Sequence, residues 1–379
     1  MSKSECFGGS LLSRSIRIQF AHRTFRWSNE GRGVAAAHCV IIGFGAEETP
    51  IKVIFEYEDV SGDPHGVRTE NINPYLVDAP DVVLPSRRAP ICKVPEIRFG
   101  SMLNDGGNLL LTVAERNALV ALEPRASQWI QPFLSADEFI NGISRYCLLL
   151  VDCPPNSLRR MPEVARRVEL VRAHRSNSSR ANTQLLARTP SLFGEIRQPK
   201  GDYVVVPLHS SENRRFIPIG FCESEYIVHN SCAAIEDATP FDFGVLTSTM
   251  HMAWVKYTCG RLESRYRYSN GIVYNNFPWP VAPTTAQVQK IETAAKGVLD
   301  ARTAHPNATL ADLYDPLTMP PNLVKAHQVL DAAVDAAYGR KAFKNDAVRV
   351  AFLFELYQKY TSLLPSAQPA KRARKRINP

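Results

Sequence analysis

The sequence predicts a mixed α+β protein, and three of its features carry this prediction. Short apolar runs bounded by turn residues, at 16–45 and again at 203–234, are typical of strands. From residue 284 to residue 364 the apolar residues instead recur at helical spacing, with prolines between the segments. A chain of 379 residues, 45% of them hydrophobic, can bury the cores of two or three such domains.

The first strand signals form a hairpin near the N-terminus. Residues 1–15 are small and polar, and we expect a disordered lead-in there. Ile16–Phe20 predicts one strand and the apolar run AAAHCVIIGFG at 35–45 predicts a second, with Gly31 and Gly33 in the turn between them. The second strand is so apolar that we expect it at the centre of a sheet. A lone hairpin is marginally stable in water, so this one needs a larger sheet to join.

Residues 59–134 are predicted to be a connector. Six prolines between 64 and 95 exclude a long helix and favour an extended segment. Gly106-Gly107-Asn108 then predicts a turn, and LLLTVAERNALVALEP at 109–124 predicts a strand that leads into a helix.

Residues 135–283 are predicted to form one domain of mixed structure. SADEFI has a serine cap before a short helix, RYCLLLVD predicts a strand, and MPEVARRVELVRAHR predicts an amphipathic helix with three valines on its buried face. Strands follow over 202–234, and the segment 243–259 predicts a single helix.

Basic residues are concentrated in part of this domain. Between Arg159 and Arg215 there are twelve basic and five acidic residues, an excess that nearly equals the formal net charge of +8 of the whole chain. The planar arginine side chain suits phosphate, so the cluster favours an anionic partner, although a solvated face is the alternative for any single member; with the 260–280 segment and the family resemblance described below, that partner is expected to be the DNA backbone. The candidate backbone contacts are Arg172, Arg175, Arg180, Ser210, Ser211, Arg214 and Arg215.

The segment GRLESRYRYSNGIVYNNFPWP at 260–280 carries the most informative pattern. Its charged residues Glu263, Arg265 and Arg267 alternate with small and aromatic ones, so an extended strand places the three charges on one face. Arginine can bind the O6 and N7 atoms of guanine, and glutamate can accept a hydrogen bond from cytosine, so the face suits base recognition. An exposed strand whose charges neutralise one another is the alternative.

Several motifs in order resemble one known family. The segments FAHRTFRWSNEGRGVAAAHCVIIGF, INPYLVDAPDVVL, DGGNLLL, FINGISRYCLLLVD, TPSLFGEIRQP and DLYDPLTMPPNLVKAH, together with 260–280, resemble the MmeI-like family of adenine-specific DNA methyltransferases of restriction-modification systems. The resemblance covers roughly residues 16–365. It implies that 1–58 is the truncated end of an α/β methyltransferase sheet, 135–283 a target recognition domain and 284–365 a helical bundle.

The resemblance also implies roles for individual residues. In this family an S-adenosylmethionine-dependent domain flips an adenine out of duplex DNA, and the recognition domain reads the bases around it. Phe25 or Trp27 occupies the position of an aromatic that stacks on the flipped base, although both can instead be hairpin core. Glu263, Arg265 and Arg267 occupy positions that select the recognised bases.

The motifs that such an enzyme needs for catalysis are expected upstream of Phe20 and do not occur in this chain. Gly43-Phe44-Gly45 is a poor match to the cofactor-binding glycine loop, and Asp152-Cys153-Pro154-Pro155 lacks the aromatic of the catalytic motif. We therefore expect no catalytic residue here and no binding of S-adenosylmethionine to this chain alone. Three functions stay open: the DNA-reading part of a methyltransferase, a stand-alone specificity subunit that docks a separate catalytic polypeptide, or an inactive truncated remnant.

The remaining features limit the location and the cofactors. The cysteines and histidines lack zinc spacing, so we expect no metal. Without a long apolar run or a signal peptide, we expect a cytoplasmic protein with no membrane partner, and the family is prokaryotic. The terminal segment 366–379 is strongly basic and is predicted to be a disordered tail.

Overall fold

The computed structural model describes residues 16–27, 37–57, 59–262 and 264–362. The predicted lead-in, the turn glycines 31 and 33, Glu263 and the basic tail lie outside these residues. The strands are β1 Arg17–Trp27, β2 Ala37–Gly45, β3 Lys52–Glu56, β4 His65–Thr69, β5 Ile97–Phe99, β6 Leu110–Thr112, β7 Ile130–Leu134, β8 Arg145–Leu148, β9 Tyr203–Pro207, β10 His209–Ser210, β11 Gly220–Cys222, β12 Ile227–Val228, β13 Cys232–Glu236, β14 Gly260–Leu262 and β15 Arg265–Arg267.

Helices follow in the same order and confirm the mixed fold class. They are α1 Val113–Leu122, α2 Ala136–Asn141, α3 Pro155–Arg159, α4 Pro162–Ser176, α5 Ala181–Leu185, α6 Pro240–Leu246, α7 Thr249–Thr258, α8 Thr285–Thr303, α9 Leu310–Leu313, α10 Pro321–Ala337 and α11 Asp346–Ser362. Short 3₁₀ turns occupy Pro124–Trp129 and Leu186–Arg188, and a π-helical turn occupies Asn270–Tyr274.

The N-terminal strands form a four-stranded sheet in the order β2-β1-β3-β4. β1 pairs antiparallel with β2 and parallel with β3, which confirms two predicted strands. The expected central position of the second strand is wrong, because β2 forms an edge of the described sheet. Its apolar side chains Val40, Ile41 and Phe44 are accordingly 40–47% exposed. Apolar content alone does not distinguish a covered strand from an exposed edge.

Two further sheets form the body of the protein, with strand orders β11-β9-β13-β5 and β12-β7-β8-β6. β9 is buried along its whole length, as its sequence YVVVP predicts. The segment predicted to be a connector contributes to both sheets, since β5 pairs with β13 and β6 pairs with β8. The predicted turn before β6 is confirmed: Gly106 and Gly107 have positive φ angles of 63° and 82°, which glycine adopts without strain.

The C-terminal helices share one large core with the strands that precede them. Trp254 of α7 packs against Phe354 of α11 and Phe277, with ring centroids 5.1 and 6.2 Å apart. The single helix predicted over 243–259 is instead two, because Ser248 accepts a hydrogen bond from the backbone of His251 and begins a new helix. Among the described residues, no helix has the length and apolar character needed to cross a membrane.

Candidate DNA-recognition surface

A small three-stranded sheet, in the order β10-β15-β14, carries the charged residues of the 260–280 segment. Across it, His209 lies opposite Arg267, Arg267 opposite Gly260, and Arg265 opposite Leu262. Residues opposite one another in an antiparallel pair point to the same side. His209, Leu262, Arg265 and Arg267 therefore share one exposed face, which we call the outer face.

The outer face combines two arginines with a histidine that is neutral at neutral pH. Partial burial, with a smaller contribution from the positive Arg267 and Arg265, lowers the pKa of His209. A neutral imidazole can both donate and accept a hydrogen bond. Gly260 adds no side chain beside Arg267, so this arginine is open on the side away from His209.

The opposite side of the sheet packs into the core. Tyr266 and Tyr268 are 4% and 3% exposed, as the alternation predicts. The Tyr268 hydroxyl lies 3.1 Å from Nε2 of the buried His251, whose Nδ1 is 2.9 Å from the Leu246 carbonyl oxygen. Burial raises the pKa of Tyr268 well above its usual range. These contacts make the outer face one side of a rigid element rather than part of a free loop.

The predicted continuous strand over 263–267 is wrong, because the chain reverses between Leu262 and Arg265, which are partners in the β14–β15 hairpin. Arg265 and Arg267 still share a face, since they stand two residues apart within β15. Glu263 lies outside the described residues, so its predicted place beside these arginines has no structural description.

Arg261 was not singled out from the sequence, yet its side chain contacts several parts of the hairpin and the neighbouring helix. Its guanidinium lies 4.0 Å from the centroid of the Tyr266 ring. Nη1 donates to the Ser264 carbonyl oxygen at 2.9 Å, and Nη2 donates to the Lys256 carbonyl oxygen at 3.3 Å. The sequence signal that could have identified Arg261 is the hairpin register. Where two residues separate Leu262 from Arg265, the next pair outward is Arg261 with Tyr266.

The structure does not support Arg175 as a contact with DNA backbone. The residue is fully buried, and its guanidinium donates five hydrogen bonds of 2.7–3.0 Å to backbone carbonyl oxygens. The acceptors are Leu103, Asn104, Leu186, Thr189 and Leu192. Two chain segments, 103–104 and 186–192, therefore converge on Arg175, and no donor remains for a phosphate.

Ser210 also differs from the prediction, because its side chain is 4% exposed and lies opposite Tyr266 on the packed side of the small sheet. The other predicted backbone contacts are more accessible. Arg215 is exposed and lies over the Phe216 ring, and Ser211 and Arg214 are partly exposed. Burial lowers the pKa of Arg214, with a smaller opposing effect of Asp315.

On the helical side of the basic cluster, ion pairs within the protein reduce the free charge. Arg172 is 47% exposed, contacts Glu169 at 3.0 Å and donates to the Ala187 carbonyl oxygen at 3.1 Å. Arg166 and Arg167 are likewise paired with acidic residues. Arg180 is exposed just before α5. The excess of charge in the sequence therefore does not form one uniformly basic face.

The aromatic residues of β1 lie in a row on one side of the N-terminal sheet. A bulge between His22 and Phe25 brings both rings to the same side despite their odd spacing. Phe25 stacks on Tyr57 with centroids 5.2 Å apart, and Trp27 lies 6.1 Å from Phe25. Trp27 is 55% exposed, whereas Phe25 is partly buried, so only Phe25 is part of a packed cluster.

The Gly43-Phe44-Gly45 segment does not form the glycine loop that would bind S-adenosylmethionine. Gly43 and Gly45 lie within β2 and not in a loop before a helix. A Cβ atom on Gly43 would lie 2.0 Å from the Phe20 ring, so this glycine serves the packing between two strands. Within 16–27, 37–57, 59–262 and 264–362, no group of three or more His, Cys, Asp or Glu side chains could hold a metal ion.

Comparison with known proteins gives a consistent family assignment. Residues 78–281 match the model described as "MmeI, target recognition domain", residues 283–365 match "MmeI, C-terminal domain", and residues 4–56 match "MmeI, DNA-methyltransferase domain".

Individual proteins agree with these matches. DNA methyltransferase A of Bacillus subtilis (strain 168) is 38% identical over 352 residues, which cover 93% of this chain and 39% of that protein. The solved structure of the Type IIL restriction-modification enzyme MmeI in complex with DNA superposes with a TM-score of 0.89 at 48% identity, covering 96% of this chain and 48% of that one. The chain thus spans less than half the length of either relative.

Proposed function

The chain belongs to the MmeI-like family of DNA methyltransferases and restriction-modification enzymes, and we propose on that premise that it reads a specific duplex DNA sequence for methylation of an adenine. In this proposal residues 135–283 belong to the recognition domain, 1–58 to the methyltransferase domain, 284–365 to the helical domain and 366–379 to a basic tail. Residues 59–134 lead from the methyltransferase domain to the recognition domain and add β5 and β6 to the sheets of the latter.

The observation that carries the proposal is the outer face of the small sheet. Two arginines and a neutral histidine project from strands whose other side is packed into the core. Such a ribbon can enter the major groove of DNA, where arginine binds guanine through O6 and N7. We assign Arg265 and Arg267 to base recognition. By its position in the sequence, Glu263 accepts a hydrogen bond from cytosine beside Arg265.

Contacts with the phosphates position this reader without selecting sequence. The accessible residues suited to that role are Arg172, Arg180, Ser211, Arg214 and Arg215. Arg175 and Ser210 are omitted because both are buried.

The aromatic row on β1 suits the flipped base. Stacking of a base on an aromatic side chain contributes about 1–3 kcal/mol. Trp27 presents an exposed ring on which the flipped base can stack. Phe25, which stacks on Tyr57, contacts Trp27 from the same side of the sheet. Methyl transfer itself would require S-adenosylmethionine and the cofactor-binding and catalytic motifs of the family.

Selection of random duplexes by the purified chain tests the proposal. We expect an enriched motif that survives an increase from low to moderate salt, because base contacts depend less on counterion release than phosphate contacts do. The variant R267A should relax selection at one base pair, at a cost of about 1–3 kcal/mol of discrimination. Exchange of the charges of Glu263 and Arg265 should alter a different base pair.

Binding without a motif that collapses as salt rises would refute sequence reading. Such a result would favour an inactive remnant, in which only the basic residues act on phosphate. A non-cooperative thermal melt would support that alternative further.

A stand-alone specificity subunit is the second candidate, and the exposed edge strand β2 favours it. Strand edges with exposed apolar side chains are suited to pairing with further strands. We therefore expect β2 to dock the preceding part of a methyltransferase sheet, in the same polypeptide or in another. Methylation restored by adding a separately produced catalytic segment of a family member would support this candidate. The β2 variant I41P should prevent the restoration without changing DNA selection.

A further inference from the structure

The guanidinium of Arg261 contacts two parts of the recognition hairpin and the end of α7. It lies over the Tyr266 ring on the neighbouring strand, and it binds a carbonyl oxygen in the turn and another near the end of α7. The turn carbonyl belongs to Ser264, the residue immediately before Arg265. A displacement of this guanidinium would therefore shift the backbone of Arg265, which is only one peptide unit away.

We propose that Arg261 is a positioning residue that determines base specificity by holding the β14–β15 hairpin at a fixed angle to α7. The inference rests on the proposed function, since it concerns the residues assigned there to base recognition. It assigns no contact with DNA to Arg261 itself.

The geometry of the two sides of the hairpin supports this role. Arg261 lies opposite Tyr266, on the side of the sheet away from Arg265 and Arg267. Although Arg261 is an exposed residue, its guanidinium contacts the aromatic ring and two carbonyl oxygens on this side of the sheet. A group in this position supports the outer face from behind.

The shortness of the hairpin explains why such support is needed. β14 and β15 have three residues each, and Leu262 lies opposite Arg265 at the turn. A three-stranded sheet of such short strands depends on contacts with the rest of the protein for its stability. Base recognition requires donor atoms to be held within about 0.5 Å. A planar group with several donors can meet this requirement, whereas a lysine ammonium is a point charge with no planar face to stack.

A neighbouring turn adds to the same cluster. Burial raises the pKa of Glu212, but its hydrogen bond with Ser264 and the nearby Arg261 and His38 outweigh that effect, so the pKa is below its usual range. Glu212 is therefore charged at neutral pH and contacts the same turn from the side of β10. His38 belongs to β2, so the cluster also borders the N-terminal sheet.

The variant R261K separates positioning from direct contact with DNA. Lysine keeps the positive charge and can replace a phosphate contact, but it cannot stack on Tyr266 while binding both carbonyl oxygens. We expect R261K to bind non-specific duplex at low salt within about twofold of wild type. Discrimination at the base pairs read by Arg265 and Arg267 should fall about tenfold, with the other selected positions unchanged.

The control is R340K, which changes an arginine that lies 4.9 Å over the Phe352 ring in the C-terminal helices. It should keep the selected motif and the discrimination of wild type. Arg261→Gln provides a second test variant, because glutamine keeps a planar amide with two donor hydrogens but has no charge. A partial recovery of discrimination with R261Q relative to R261K would support a geometric role.

Several outcomes would overturn the inference. Unchanged discrimination in R261K would show that the hairpin does not depend on Arg261. An equal loss for all duplexes in R261Q but not in R261K would show a phosphate contact instead. Loss of the cooperative melt in both variants would show a general role in folding. A wild-type chain that selects no motif would refute the proposed function and this role together, whereas a motif retained by R261K refutes the role alone.

Discussion

Replacement of Arg175 by methionine tests whether its buried guanidinium organises the fold rather than binding DNA. Methionine keeps most of the apolar stem but removes all five donors. Five backbone carbonyl oxygens would then lose the guanidinium in a site with no exposure at Arg175 itself, although those of Leu103, Leu186 and Thr189 would each keep one backbone N–H donor. Asp105, which is 5% exposed and contributes a nearby negative charge, would lose its positive neighbour.

The magnitude follows from two opposing contributions. Hydrogen bonds that involve a charged group contribute about 1.5–3 kcal/mol each, so five of them represent about 7–15 kcal/mol. Burial of the guanidinium costs several kcal/mol, which R175M recovers. We therefore expect the free energy of unfolding to fall by about 4 kcal/mol, a large part of the 5–15 kcal/mol that is typical of a domain.

Urea denaturation of R175M measures this loss, with R172M as the matched control on the same helix. Arg172 is 47% exposed and makes one ion pair and one backbone contact, so R172M should change the free energy of unfolding by less than about 1 kcal/mol. Under conditions where both variants are folded, only R172M should reduce the salt dependence of DNA binding.

A midpoint for R175M equal to that of wild type would refute the reasoning, because the loss of five hydrogen bonds from a buried guanidinium would then carry no cost. A reduced salt dependence in folded R175M would refute the assignment of this arginine to the interior.

Two further predictions concern stability. Burial lowers the pKa of His251 to about 4 and, with the nearby Arg302 and Arg215 charges, that of His327 to about 3, so both stay neutral in the fold while unfolded histidine gains a proton below about pH 6.5. Stability should fall from pH 6.5 towards pH 4 by on the order of 1 kcal/mol per pH unit for each histidine, and H251Q/H327Q should flatten the profile in urea titrations; an unchanged slope would contradict this. A Cβ atom on Gly100 would lie 2.4 Å from the His229 carbonyl oxygen, so G100A should lower the stability measured in thermal melts by about 2 kcal/mol or more. The matched control G201A should be neutral, because its added methyl group meets nothing within 4 Å. Equal melting temperatures for the two variants would contradict the close packing at Gly100.

Local patterns in the sequence predicted much of the secondary structure and the family. The helical spacing after residue 284, the serine cap of α2 and the glycine turn before β6 were confirmed, because each depends on residues within a few positions of one another. The alternation in the 260–280 segment placed Arg265 and Arg267 on an exposed face and Tyr266 inside.

Other features depended on neighbours that are distant in sequence. Arg175 and Arg172 belong to the same basic run, and only the loops that fold around the helix place one inside and the other outside. β2 has the composition of a central strand, yet it is the first strand in the order β2-β1-β3-β4 and so forms an edge of the described sheet.

The support of the recognition hairpin was also decided only by the tertiary structure. Arg261 acts through Tyr266 and through the carbonyl oxygens of Ser264 and Lys256, and a carbonyl oxygen leaves no mark in the sequence because every residue has one. Sequence periodicity reports which side of an element a residue occupies. What covers that side is set by long-range packing, and this determines whether an arginine holds the fold together or remains available to a ligand.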